Sequence, residues 1–365
     1  MICNDGKGDN MRQGVLVPSS IVALLLISLM PLTVSSSDTV ISNDIIWTEN
    51  QTLTGNVTIA EGVSLTILPG VIIDGGAGHT IEVAGSLTAQ GVHFFSSAAS
   101  QSETVHSSDL WQGILVTLTG SVTLNDVIIE NTNVGIHSNG DLTVENLSVI
   151  DSYIGINNFG TANVDLYSTE SIDNEAILNS GTITVGNGSI SNSTVGIIST
   201  GSAIIEDSIF SNVGVAITAG AGDLTAKNIT MDSVSVGLAT NSGVHFQASG
   251  IQASNVSLLA DLANADDFIL DDVQADGNQL LKSNSATGAR INDVDFSGSV
   301  DTNLPVIEQD CDGNCSIQNI SISDARYGIS LTGLGNHHII SSSIFGQQYA
   351  LRSSEAGHLT INNSS

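Results

Sequence analysis

The residues best placed to do chemistry are four carboxylates and two cations between positions 271 and 295. Asp271 and Asp272 in the run Ile-Leu-Asp-Asp-Val align with Asp293 and Asp295 in Ile-Asn-Asp-Val-Asp, with Lys282 and Arg290 nearby. Glycoside hydrolysis needs two carboxyl groups about 5 to 10 Å apart across a groove, one protonated and one ionised. Lyases instead use a Lys or Arg base. The same Asp272 and Asp293 also align with positions that elsewhere hold Asn at a chain bend, and that structural role competes with the catalytic one.

A second constellation is Asp310-Cys-Asp-Gly-Asn314. Alternating oxygen ligands around a Gly turn resemble the start of a Ca²⁺ loop, with Asp310, Asp312 and Asn314 as the ligands. The distal bidentate Glu of an EF-hand is missing, and a tight loop pinned by a Cys311–Cys315 disulfide accounts for the same residues. A zinc or redox role for Cys-x-x-x-Cys lacks a partner pair. Of eight histidines only His337-His338 are adjacent, and neighbours on a strand point to opposite faces. His106-Ser-Ser-Asp109 is too sparse for a triad.

Charge narrows the partners. The 365 residues carry 37 acidic against 7 basic side chains, a net charge of −30. Nucleic-acid binding requires clustered Lys and Arg to neutralise phosphates, which this chain does not have. Anionic membranes are disfavoured on the same ground, so membrane contact is expected only through the N-terminal segment. There, Ile21–Met30 is an apolar run after Arg12, followed by Val34-Ser-Ser36. That pattern predicts a secretory signal peptide over residues 1–36, with Met11 a plausible initiator, or else an uncleaved signal anchor. Export agrees with an even pair of cysteines once Cys3 leaves with the signal. It would also give meaning to the Asn-x-Ser/Thr sequons at Asn50, Asn56, Asn146, Asn187, Asn192, Asn228, Asn255, Asn314, Asn319, Asn362 and Asn363.

These groups are positioned by a repeat. GSVTLNDVIIENTNVGIHSN from Gly120 and GDLTVENLSVIDSYIGINNF from Gly140 share one pattern, which recurs from Gly160 and Gly181. Its closing Val/Ile-Gly-Ile position falls at 135, 155, 176, 196, 216, 237, 258, 280, 306, 328 and 350, so the period is close to 21 residues. Such a period indicates a solenoid. The Leu skeleton of a leucine-rich repeat is absent. Within one coil, Leu142 and Val144 alternate with Thr143, and Leu147 and Val149 with Ser148, which puts apolar side chains inward. Asn146, Asn187, Asp207 and Asn228 mark a bend that asks for left-handed backbone, and Gly120, Gly140, Gly160, Gly181 and Gly201 mark another corner.

The opening GNVTIAEGVSLTILPGVII, GSLTAQGVHFFSS and WQGILV resembles right-handed parallel β-helix domains of secreted and cell-surface bacterial and archaeal proteins, which share the pectin-lyase-like fold. The resemblance implies an all-β right-handed parallel β-helix, and the count of closing positions gives about 11 to 13 coils of 20–22 residues, stacked about 4.8 Å apart. Residues 37–51 are then a linker or cap, and 52–365 the β-helix. The half-coil at Gly357–Ser365 suggests truncation at the C-terminus. No polygalacturonase, alginate-epimerase or pectate-lyase motif accompanies it. Only Lys227, Lys282, Arg290, Arg326 and Arg352 are basic after residue 36. The expected function is a non-catalytic surface or adhesion-type scaffold binding glycans or neighbouring cell-envelope proteins. A secreted polysaccharide lyase or glycoside hydrolase is the alternative. Activity is expected where the repeat fails, at Ser96–Leu110 and Asp266–Cys315.

Overall fold

The computed structural model describes residues 37–100, 106–241, 243–263, 265–298, 302–355 and 357–365. The signal or anchor segment, 1–36, lies outside them.

Period-two alternation and frequent bends fold the chain into a parallel β-solenoid with three sheets. In the repeat from Gly140, residues 141–145 belong to sheet A, 147–150 to sheet B and 154–158 to sheet C. Every strand pairs in parallel with its equivalent one rung away: Leu142 lies against Val122 and Ala162, and Leu147 against Val127 and Tyr167. The sheet C ladder starts at Thr39–Ile41 and steps through fifteen rungs to the strand ending at Ser353. At about 4.8 Å per rung this is a stack about 70 Å long.

The expected 11 to 13 coils are therefore too few. The four earliest sheet C strands, from Thr39–Ile41 to Gly113–Val116, lack the Val/Ile-Gly-Ile closure and escape a count based on it. Residues 37–51, assigned to a linker or cap, carry strands Thr39–Ile41 and Ile45–Trp47, which pair with Val57–Ile59 and with Leu65–Ile67.

Two corners are built on left-handed backbone. Between sheets A and B, Asp126, Asn146, Asn187, Asp207, Asn228, Asp272, Asp293 and Asn319 all have φ of 50 to 60°. Between B and C, Asn131, Asp151, Ser171, Asn192, Asn212, Ser233 and Asn255 have φ of 47 to 58°. Asn and Asp accept this conformation at low cost because their short polar side chains hydrogen-bond locally. They also tie rungs together, as Asn146 Nδ2 donates to Asp126 Oδ1 at 2.6 Å and Asn212 Nδ2 to Asn192 Oδ1 at 2.6 Å. The third corner uses Gly for a different reason. A Cβ at Gly160 would collide with the carbonyl oxygen of Gly140 on the preceding rung, so closeness rather than φ selects it.

Inside, like residues stack in columns. Sheet A contributes Leu124, Val144, Val164, Val185 and Ile205, all fully buried. Phe246 and Phe268 meet edge to face at 5.6 Å. Polar groups inside are mostly paired: Asn158 Nδ2 donates to Asn179 Oδ1 at 2.8 Å, and Asn179 Nδ2 to Ser199 Oγ at 3.0 Å.

Candidate functional site

The six residues proposed for catalysis are dispersed by the fold. Asp272 and Asp293 occupy the A–B bend with φ of 52 and 51°, and Asn319 Nδ2 donates to Asp293 Oδ1 at 3.0 Å. They hold the corner. Asp271 ends a sheet A strand, between Ser249 and Asn292. Asp295 lies on sheet B between Gln274 and Ser321. Arg290 is on sheet A, ion-paired to Asp267 at 2.8 Å, and Lys282 is on sheet C between Asp261 and Glu308. No single groove gathers them.

Cys311 and Cys315 are joined by a disulfide. The suggested Ca²⁺ ligands are turned to neighbouring rungs: Asp312 Oδ1 accepts from Leu334 N at 3.5 Å and Asn314 Oδ1 from Asn336 Nδ2 at 2.7 Å. Among the described residues no group of three His, Cys, Asp or Glu is arranged to hold a metal ion. His337 and His338 do face opposite ways, His337 fully buried with Nδ1 3.4 Å from Gln309 Oε1. Of the sequons, Asn146, Asn187, Asn228, Asn319 and Asn363 sit on the A–B corner with left-handed φ, and Asn192 and Asn255 on the B–C corner.

Sheet B carries the open concave surfaces. Its inward column runs Phe210, Met231, Ala253, Ala275, Phe296. The two alanines are smaller than Met231 and Phe296 on the rungs to either side. A trough of about 450 Å³ lies over them, with Ala253 and Ala275 on its floor and Thr230, Gln252, Gln274, Asp276, Asp295 and Ser297 on its walls. Two outward rows pass through it in register. The first is Thr230, Gln252, Gln274, Asp295 and Ser321. The second is Asp232 with Ser254, and Asp276 with Ser297 and Ser323.

The rows differ in what holds them. In the second, Ser254 Oγ donates to Asp232 Oδ1 at 2.7 Å and Asn255 N to Asp276 Oδ1 at 2.9 Å. Hydrogen bonds from Ser254, Asn255 and Ser233 keep the Asp232 carboxyl below the usual range. In the first, the Gln252, Gln274 and Asp295 side chains are exposed and make no hydrogen bond to the described chain. Sequence reasoning placed Asp295 in a catalytic cluster and passed over Gln252 and Gln274. The change from bulky residues to Ala-Ala in one inward column was the legible sign.

A second cavity, of about 550 Å³, lies on the B–C corner beside the end of the Ser96–Leu110 insertion. His106, Leu110, Tyr153, Asp151 and Asp173 line it. Residues 101–105 of the insertion lie outside the described ones. Partial burial, then the charge of Glu130, raises the Asp151 carboxyl above its ordinary range, with Glu170 and Asp173 adding to it. Glu130 is itself engaged, with Oε2 3.0 Å from His93 Nε2. The sequence marked the insertion as a departure from the repeat, but Asp151 and Asp173 look like ordinary corner residues within it.

No protein-family model matches the sequence, and no curated protein is detectably similar to it. A solved structure shares the fold. The catalytic unit of a thermostable GH87 α-1,3-glucanase from Streptomyces thermodiastaticus superposes with a TM-score of 0.51 at 13% identity, over 88% of this chain and 63% of that one. This chain thus spans under two thirds of the glucanase unit. The surface protein and adhesin PfbA of Streptococcus pneumoniae aligns over 88% of this chain and 91% of its own, with a TM-score of 0.41 and 10% identity. At 13% identity the likeness to the glucanase unit is one of fold, and it agrees with the parallel β-helix that the strand pairing builds.

Proposed function

We propose that this is an exported, non-catalytic surface protein of the adhesion type, whose β-helix presents a glycan-binding trough on sheet B. One observation supports this most: Gln252, Gln274 and Asp295 stand in register on successive rungs, exposed and unengaged, over a floor of small side chains. Amide and carboxylate groups with no internal partner are suited to the hydroxyls of sugars, and side chains on a rigid sheet keep their spacing. Two of the four acids considered for catalysis, Asp272 and Asp293, support the bend, and Asp271 stands on another sheet. Binding of the purified protein to an immobilised glycan panel, with no new reducing ends released, is the expected result. Binding unchanged by Gln252→Ala with Gln274→Ala would remove the trough from the reading.

A secreted glycoside hydrolase is the second reading, and the cavity beside the insertion favours it. There a carboxyl group with a raised pKa, Asp151, neighbours a second carboxyl, Asp173, beside the exposed ring of Tyr153. Hydrolases divide acid and base roles between such a pair. Release of reducing ends from a polysaccharide, lost in Asp151→Asn, would establish this reading over the first.

A further inference from the structure

The trough also constrains what it can hold. Resting on the glycan-binding reading above, we propose that its ligand is a neutral, unbranched polysaccharide lying along the rod axis, with successive sugars on successive rungs.

Three features support this. The first is periodicity. Thr230, Gln252, Gln274, Asp295 and Ser321 recur at the same position of five consecutive rungs, about 4.8 Å apart along the axis. A ligand with its own translational repeat meets a polar group at every step only if it runs along the stack. Running across the rungs, it would leave this row after one contact.

The second is charge. The trough is walled by Asp276 and Asp295, Asp232 lies one rung from its Ser254, and among the described residues no Lys or Arg lines it. The basic residues nearest in sequence are engaged elsewhere: Lys227 pairs with Glu206 at 3.2 Å, Arg326 Nη1 donates to Asn303 Oδ1 at 2.7 Å, Arg290 pairs with Asp267 on sheet A, and Lys282 lies on sheet C. A uronate or sulfate would lie against unneutralised carboxylates on a chain already at −30. A neutral hydroxyl donates to the same carboxylate in a charge-assisted hydrogen bond.

The third is chemistry without stacking. Among the described residues no aromatic ring lines the trough, so recognition falls to hydrogen bonds at the sugar edges. The glutamine amides both donate and accept, as hydroxyls do, and Asp295 accepts only. The second row is already tied to the corner through Ser254, Asp232 and Asp276, which fixes the trough wall before any ligand arrives.

The test is calorimetric titration of the whole chain with two series of unbranched oligosaccharides of graded length, one neutral and one of uronic acids, with and without EDTA. Affinity should rise with length for the neutral series until the trough is filled, then level off, and should not depend on salt. Gln252→Ala with Gln274→Ala should weaken neutral binding at least about tenfold, from two lost hydrogen bonds. Ser148→Ala, in the same outward position of sheet B four rungs before Thr230, should leave it unchanged and controls for folding. Uronic-acid oligomers that bind as tightly as neutral ones, through the trough and with or without EDTA, would overturn the neutral ligand while leaving the trough in place. Affinity that does not grow with length would overturn the axial path. Glycan binding indifferent to the double variant would remove the trough reading itself.

Discussion

Asn187 Nδ2 donates to Asp165 Oδ1 at 2.8 Å, stepping past the residue that occupies the bend on the preceding rung, Leu166. Leu166 has φ of 50° and is the one large apolar residue at a corner otherwise held by Asn, Asp, Ser or Gly among the described residues. Its branched side chain gains nothing from this conformation, is about half exposed, and interrupts the amide ladder. Leu166→Asn should therefore stabilise the protein by about 1 kcal/mol, the cost of left-handed backbone at an ordinary residue. Denaturant unfolding of the two proteins measures it, and an unchanged or lower midpoint would refute the strain.

The bend role of Asp293 separates it from catalysis. Asp293→Asn keeps both the tolerance of positive φ and an acceptor for Asn319, so stability should change by less than about 0.5 kcal/mol. Asp293→Ala loses both and should cost about 1 to 2 kcal/mol. Neither change should alter glycan binding. A large functional loss in Asp293→Asn with normal stability would return this residue to the site.

What could be learned from the sequence was set by how local the physics is. Alternation in Leu142-Thr-Val144 gives the inward face without reference to any other rung, and Asn146 announces left-handed backbone by itself. The same locality explains the undercounted coils, since the first rungs reach the same geometry through turns such as Ala60-Glu-Gly62, which share no signature with later ones. The trough was hidden for the opposite reason. Gln252, Gln274 and Asp295 are about 21 residues apart with no motif around them in common, and only the register shows them as one row. Asp272 and Asp293 matched in sequence because they share a bend, not because they share a ligand.

Asp151 provides a test by pH. Its carboxyl is held above the usual range by partial burial and by Glu130, so the folded state binds this proton more tightly than the unfolded chain. The resulting stability is present below the ordinary carboxyl pKa and is lost as pH rises through the raised one. At neutral pH Asp151 is thus a liability, and Asp151→Asn should raise the thermal midpoint there but not at pH 3. An equal shift at both pH values would point to packing instead of charge.

His337 works in the other direction. It is fully buried, and burial lowers its pKa below 6.5 against the opposing pull of backbone acceptors at Thr332 and Gly333 and the charge of Asp310, with His338 adding to the lowering. The unfolded chain then binds the proton more tightly, so stability falls as pH drops from about 6.5 toward the depressed value. His337→Gln removes that proton and should flatten the decline over this window, at some constant cost from the altered contact with Gln309. A slope identical to that of the parent would show that His337 titrates normally.

The Cys311–Cys315 bridge closes a very short loop, with a sequence separation of 4, at the corner where sheet C passes into sheet A. The chain-entropy estimate for so small a loop is about 2 kcal/mol of stabilisation, the low end of the usual range. Both sulfurs are buried, and Cys315 stands in register with His337 on the next rung, so the reduced pair would leave two thiols inside the stack. In a Cys3→Ser background, a phosphine reductant should lower the unfolding free energy by about 2 kcal/mol. Replacing both Cys311 and Cys315 by Ala should reproduce most of that loss and abolish any further response to the reductant. If the parent ignores reductant after denaturation and refolding in its presence, the corner is held by its glycines and rung hydrogen bonds, and the disulfide contributes nothing to stability.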